Sequence, residues 1–306
     1  MKIKIGTRGS KLALWQAHYI SDLLKKGGAE TEIITIETIG DKILDVSIAK
    51  IGSKGVFTEE IEEQLAKGNI DIAVHSAKDM QSILPNDFEL IAFTKREATN
   101  DIILSHNKNI SLKDNIVLGT SSTRRIAFLK HLYPHIKTVP VRGNLQTRIR
   151  KMKEGACDAL MLAFAGAHRM GYDDMIVQKL STDEFIPAVG QGSVAIECST
   201  SLDQDKKELV RNTTNNTTAE IQLLAERAYL RQLEGGCSIP VFALAKVENN
   251  EVNITGGIIS LNGQEVVKHS ASSITDNPVK AGEKLAELVL NSGGDKILKE
   301  IKEKIN

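Results

Sequence analysis

Arg8, Arg124, Arg125 and Arg142 stand where helix physics does not favour a cation. Arg8 precedes the first expected helix, Arg124 and Arg125 fall in the first turn of another, and Arg142 directly precedes a third. A helix N-terminus already carries roughly half a positive charge, so each cation there costs about 0.3–1 kcal/mol. Anions docked at these ends would offset that cost, because free N–H groups and guanidinium forks both bind carboxylate or phosphate. Any one of these arginines also reads as a solvated surface charge; their recurrence at three helix starts favours an anion site. Arg148, further along the helix that follows Arg142, strengthens the cluster. Arg169, near the end of a short helical stretch, reads as either structural or binding.

Val74-His75-Ser76-Ala77-Lys78-Asp79 ends a strand at the same expected edge. Asp79, beside Lys78 and among arginines, is expected to stay ionised. It is either a turn aspartate bonded to backbone or a carboxylate that stabilises a developing cation and moves protons. His75 alternates toward the sheet and is expected to pack there. Cys157 and Cys198 lie in apolar runs and read as core residues. Cys237 follows Gly235-Gly236 and precedes Ser238-Ile239-Pro240, in a loop whose glycines allow another group to approach closely. It is a reactive or modified thiol, or a buried turn cysteine. The three cysteines form no disulfide framework and lack metal-ligand spacing, so reduced thiols and no metal are expected.

Strand–turn–helix units must position these groups. Residues 2–5 alternate like a strand; Gly6 to Ser10 make a turn, and Ser10 is a natural N-cap for a helix ended by Gly27-Gly28. A strand over 31–38 leads into a long, mobile loop over 41–56 of the kind that often forms a lid. A helix near 58–67 and a strand at 70–74 follow. Strands at 116–118 and 137–141 each run into a helix, and 157–162 is a further apolar strand. Strands alternating with helices imply α/β architecture with parallel sheets. After residue 217 a helix ends at Gly235-Gly236, and three strand-like runs near 240–247, 251–260 and 264–270 are separated by hairpin signals at Asn249-Asn250 and Asn262-Gly263. With helices near 278–291 and 295–305, this reads as a separate α+β domain with a small antiparallel sheet.

Composition narrows the function. The 306 residues hold 39 basic and 39 acidic side chains, so any basic site is local and a nucleic-acid binder is not expected. No apolar run approaches the roughly 18 residues of a membrane span. The opening residues read as a strand and not a signal peptide, so a cytoplasmic protein is expected.

Seven stretches carry a family resemblance. They are Gly6-Thr7-Arg8-Gly9-Ser10-Lys11-Leu12-Ala13-Leu14-Trp15-Gln16-Ala17, Lys54-Gly55-Val56-Phe57, Val74 to Asp79, Gly119-Thr120-Ser121-Ser122-Thr123-Arg124-Arg125, Arg142-Gly143-Asn144, Pro187-Ala188-Val189-Gly190-Gln191-Gly192, and Glu234-Gly235-Gly236-Cys237. In this order, nearly end to end, they resemble the porphobilinogen deaminase (hydroxymethylbilane synthase) family. The resemblance implies two lobes like periplasmic binding proteins, residues 1–96 plus 194–214 and 97–193, with crossings near 94–99 and 187–193. It also implies a third domain over 216–306 that carries a cofactor cysteine.

The chemistry so implied is stepwise condensation of four porphobilinogens, with loss of ammonia, on a dipyrromethane cofactor held by a thioether to Cys237, then hydrolytic release of hydroxymethylbilane. Each ring brings an acetate and a propionate, which fits the arginines. On the family pattern Asp79 is catalytic; Lys78, Ser122, Arg124 and Arg125 bind cofactor carboxylates; Arg8, Ser10, Arg142, Arg148 and, less directly, Arg169 bind substrate; and Phe57 borders the long loop. A monomer with no metal, nucleic-acid or membrane partner is implied. Met80-Gln81 departs from the apolar residue and proline of many relatives, and Ser193 from their alanine. A non-enzymatic anion receptor would need neither Cys237 nor Asp79, and a DNA-binding regulator would need a helix-turn-helix that the chain does not open with.

Overall fold

The computed structural model describes residues 1–38, 58–236 and 238–305. The expected loop at 41–56, Phe57 and Cys237 lie outside the described residues.

In chain order the elements are β1 (Lys2–Arg8), α1 (Lys11–Lys26), β2 (Glu30–Ile36), α2 (Glu59–Ala66), β3 (Ile72–Ser76) and β4 (Phe88–Phe93). Then come β5 (Asp101–Leu104), β6 (Val117–Gly119), α3 (Thr123–Leu132), β7 (Lys137–Val139), α4 (Leu145–Lys153), β8 (Ala159–Ala163), α5 (Phe164–Arg169) and β9 (Ile176–Lys179). The chain continues with β10 (Val194–Ser199), α6 (Gln204–Thr214), α7 (Thr217–Gln232), β11 (Val241–Glu248), β12 (Glu251–Ile259), β13 (Val266–Ile274), α8 (Pro278–Val289) and α9 (Asp295–Ile305). The helices that matter to the site begin where the sequence signals them: Ser10, Ser122 and Asn144 each accept a hydrogen bond from a backbone N–H of the first turn. The first strand runs three residues further than expected, through Gly6 and Thr7 to Arg8, because all of them pair with β2.

Two five-stranded sheets share one plan. The first has the order β2-β1-β3-β10-β4 and the second β7-β6-β8-β5-β9. In each, the first three strands are parallel. The fourth runs antiparallel to both of its neighbours, β10 in the first sheet and β5 in the second. The physical reason is topological. The chain leaves β4 at the carboxyl end of the first lobe's parallel strands, crosses, and enters β5 from the carboxyl edge of the second; it returns from β9 into β10 the same way. Each returning strand must therefore point backwards, and the carboxyl edges of both lobes face the crossings.

The third sheet is antiparallel, β11-β12-β13. Tyr229 and Leu233 at the end of α7 pack with Ile254, Ile258, Leu285 and Val289 in its core. This unit is also keyed to the second lobe, since Phe242 lies 4.9 Å from Phe128 between ring centroids and Phe128 lies 5.6 Å from Phe185. Cys198 lies inside β10 as expected, whereas Cys157 falls just before β8; both are buried free thiols. Among the described residues no helix is long and apolar enough to cross a membrane.

The crossings are bound to each other. Glu97 N–H donates to Gly192 O (3.1 Å), and Val194 N–H to Thr94 Oγ1 (3.1 Å). Ser193 Oγ donates to Thr94 O (2.9 Å), a link that alanine at this position could not make. Gly192 has φ +98°, and a Cβ there would sit 2.4 Å from Glu97 O, so only glycine lets the two segments touch. Glu226 on α7, with its side chain fully buried, fastens both. It takes a fork from Arg96 (2.6 and 3.0 Å), Gly190 N–H of the second crossing (2.8 Å) and Ala245 N–H of β11 (2.8 Å).

Removing one partner of a buried ion pair leaves an uncompensated charge and costs about 3–5 kcal/mol. Glu226→Ala is therefore expected to lose about that much stability, measured by urea unfolding. A loss under about 1 kcal/mol, the range of exposed pairs, would show that the crossings are held some other way.

Candidate active site

Four loops at the carboxyl ends of β1, β3, β6 and β7 bring the expected groups to one edge. Arg8 ends β1 and is half-buried, with Ser10 capping α1 by accepting from Ala13 N–H (3.3 Å). Beyond β3 a 3₁₀ turn over Ala77–Asp79 presents Asp79 at the surface, with Lys78 half-buried and Ala77 buried. Ala77 N–H donates to Ser193 O (3.0 Å), which ties this turn to the second crossing. Gly190, at φ +76°, lies so close that a Cβ would be 2.8 Å from the Ala77 carbonyl carbon and 2.9 Å from Lys78 N. Arg142 precedes the Asn144 cap of α4, and Arg148 donates from Nε to Gly143 O (2.8 Å), which folds it back toward the helix start.

The electrostatics show how close these groups are. Burial lowers the pKa of Lys78, Asp79 and Asp101 pull it back up, and Arg125 and Arg148 push it further down. Burial likewise lowers Arg148, with Arg125 and Arg142 repelling it and Asp79 attracting it. Asp79 thus sits within electrostatic reach of Lys78 and Arg148 among cations that repel one another. Such a surplus calls for anionic ligands.

Arg124 and Arg125 have a further role that the sequence did not disclose. Both are buried, and both grip Asp101 at the start of β5: Arg124 Nη2 at 2.7 Å, Arg125 Nη2 at 2.7 Å and Nε at 3.1 Å. Arg124 also donates to Ile186 O (2.8 Å), Arg125 to Met161 O (3.2 Å), and Gln191 Nε2 adds a bond to Asp101 (3.1 Å). Burial alone would raise the Asp101 pKa, but the two guanidiniums outweigh it and hold the carboxyl well below the usual range. The helix-start penalty is therefore met in part by a fixed carboxylate. Arg124 Nε is buried and has no hydrogen-bond partner among the described residues.

Arg169 lies apart from the Arg142–Arg148 pair. It donates to Gly192 O (2.7 Å) and lies 5.3 Å over the Trp15 ring, so it joins the second lobe to the second crossing and to α1. His75 is buried as expected, 3.1 Å from Glu197. Burial pushes the Cys198 thiol up to about 12 and raises that of Cys157, so neither is poised as a nucleophile. Asp101, Gln191, Arg96 and Glu226 escaped the sequence reading. Glu226 did leave a signal, as an acid on the helix face that holds Leu223, Ala225 and Tyr229.

Fold and edge together define a class: a two-lobed α/β protein with basic residues at the carboxyl edge by the crossings and an α+β unit locked to both lobes. Residues 3–208 match the family described as porphobilinogen deaminase, dipyromethane cofactor binding domain, and residues 221–291 match porphobilinogen deaminase, C-terminal domain. The porphobilinogen deaminase of Desulfosudis oleivorans is 52% identical over 99% of this chain and 98% of its own. That of Cytophaga hutchinsonii is 54% identical over 98% of this chain and 97% of its own. A solved methionine-binding protein, MetQ, is loosely similar, with TM-score 0.44 and 13% identity over 69% of this chain and 89% of its own. The chain belongs to the porphobilinogen deaminase family, transferases of tetrapyrrole biosynthesis that work on a dipyrromethane cofactor.

The Asp101 pair sets a pH signature. Because its carboxyl is depressed in the folded state, its contribution is full well above the ordinary value near 3.8 and is lost as pH falls toward the folded pKa. Asp101→Asn is expected to be less stable than wild type by about 3–5 kcal/mol at pH 7, with the gap narrowing below about pH 4. Denaturant unfolding across pH measures this, and a gap independent of pH would refute the assignment.

Proposed function

We propose that this cleft joins four porphobilinogens into hydroxymethylbilane on a dipyrromethane carried by Cys237, with Asp79 as the catalytic carboxylate. The observation that carries the reading is that Asp79, on the turn tied to the second crossing, interacts with Lys78 of its own lobe and Arg148 of the other, with Arg125 and Arg142 next to those cations. The donor set suits the cofactor: its carboxylates need cations, and Lys78 and Arg148 stand half-buried and mutually repelling at this edge. Lys78, Ser122, Arg124 and Arg125 would hold it. When bound, the dipyrromethane supplies a pyrrole α-carbon as the nucleophile that starts the chain.

The remaining work falls to the protein's own side chains. Arg8, Ser10, Arg142 and Arg148 hold the acetate and propionate of the incoming porphobilinogen, as charge-assisted bonds that fix its position. Asp79 stabilises positive charge on the pyrrole nitrogen of that substrate while ammonia leaves, and it holds the proton lost when the new bond forms. Arg169, bonded to Gly192 O and lying over Trp15, is a further candidate to bind substrate on the family pattern. Residues 1–96 with 194–214, 97–193 and 216–306 serve as the three domains, working as a cytoplasmic monomer. The burial and raised thiol pKa values of Cys157 and Cys198 support the choice of Cys237.

Peptide mapping of the purified holoenzyme is expected to find the dipyrromethane mass on the Cys237 peptide alone. An adduct on Cys157 or Cys198 would overturn the attachment. Asp79→Asn, nearly isosteric, is expected to fold and to carry cofactor when expressed with preassembled tetrapyrrole. Its kcat should fall by at least about 10²-fold with a smaller change in KM, since the charge it offsets exists mainly in the transition state. Near-normal kcat with raised KM would make Asp79 a binding residue.

A further inference from the structure

The turn that presents Asp79 is short and exposed at its tip, yet it is fastened immediately downstream. Met80 N–H donates to Ala77 O (3.4 Å), and the Met80 side chain is buried with Ala77, Phe93, Ala195 and Leu223. Gln81 is then bound from two directions. Its Nε2 donates to Thr58 Oγ1 (2.9 Å) and to Glu62 Oε1 (3.1 Å), both buried at the start of α2. Its carbonyl accepts from Arg227 Nη2 on α7 (2.9 Å). Thr58 is the N-cap residue of α2 but makes no side-chain cap bond; its hydroxyl is turned to Gln81 instead. Arg227 follows Glu226, so one turn of α7 grips both the crossings and the segment behind Asp79.

We infer that Gln81 is a positioning residue for Asp79: its three hydrogen bonds fix the backbone behind the 3₁₀ turn to α2 and to the third domain. The inference rests on the catalytic reading of Asp79. A proline at this position would restrain the chain covalently; this chain achieves the restraint with an amide side chain. The residue before it meets the requirement of a proline at 81, because Met80 has φ −73° and ψ 142°, the extended conformation. Only a carboxylamide suits the two acceptors, since both hydrogens of Nε2 are used and a carboxylate at 81 would face Glu62.

Gln81→Leu keeps the volume and removes both side-chain bonds. In the cofactor-loaded enzyme it is expected to lower kcat about 10- to 100-fold, because a small displacement of a catalytic group has that effect, with KM within about twofold. Hydrogen–deuterium exchange should rise in the peptide spanning residues 77–83 and stay unchanged in β1 and β10. Gln81→Pro should recover most of kcat and of the protection, which a side chain needed only for packing would not do. If Gln81→Leu fails to fold, Thr58→Val, which removes one acceptor, should show the same changes in smaller measure. Asp79→Asn is assayed alongside. A slow Asp79→Asn with Gln81→Leu at wild-type kcat and exchange overturns the positioning role alone; a near-normal Asp79→Asn overturns the catalytic reading and this inference with it.

Discussion

The side chain of Glu226 has no exposed surface, and donors from three separate parts of the chain converge on it: the Arg96 guanidinium, Gly190 N–H and Ala245 N–H. A buried carboxylate without such partners would cost several kcal/mol, so α7, both crossings and β11 must meet in one arrangement or the charge is stranded. Everything at the cleft depends on that meeting. The second crossing places Gly190 against the Ala77–Lys78 backbone, which sets the turn that bears Asp79. The same helix turn continues to Arg227 and the Gln81 carbonyl.

The charges divide into two populations with different physics. Asp101 with Arg124 and Arg125, and Glu226 with Arg96, are buried groups whose partners are built in. They fix lobe geometry, and the Asp101 set joins the first residue of β5 to α3 and to Gln191 of the second crossing. Lys78, Arg142 and Arg148 instead lie half-buried at the edge, repelling one another. In the proposed reading a growing chain that adds carboxylates with each ring meets these cations at the edge. A protein of zero net charge thus concentrates its cationic surplus where it is used.

Where local rules governed, the sequence was legible. Ser10, Ser122 and Asn144 cap helices because their oxygens reach the first-turn N–H groups, a contact within three residues. Asn249, Asn250 and Gly263 adopt positive φ at the expected hairpin turns. The antiparallel third sheet and the core settings of Cys157 and Cys198 follow from periodicity and composition in the same way.

What sequence alone determined, then, is which segments become strands and helices and which side chains stand at their ends, because caps, turns and alternation act over a few residues. Only the tertiary structure decided that β5 and β10 run backwards, since that follows from where the chain re-enters a sheet. Tertiary structure also decided that Arg124 and Arg125 of α3 already hold Asp101, a partner 23 and 24 residues earlier on β5. It brought Glu226 to Arg96 across 130 residues and Gln81 to Arg227 across 146. No local pattern encodes such pairs; they form because a buried charge or amide must find its partner wherever the fold has carried it.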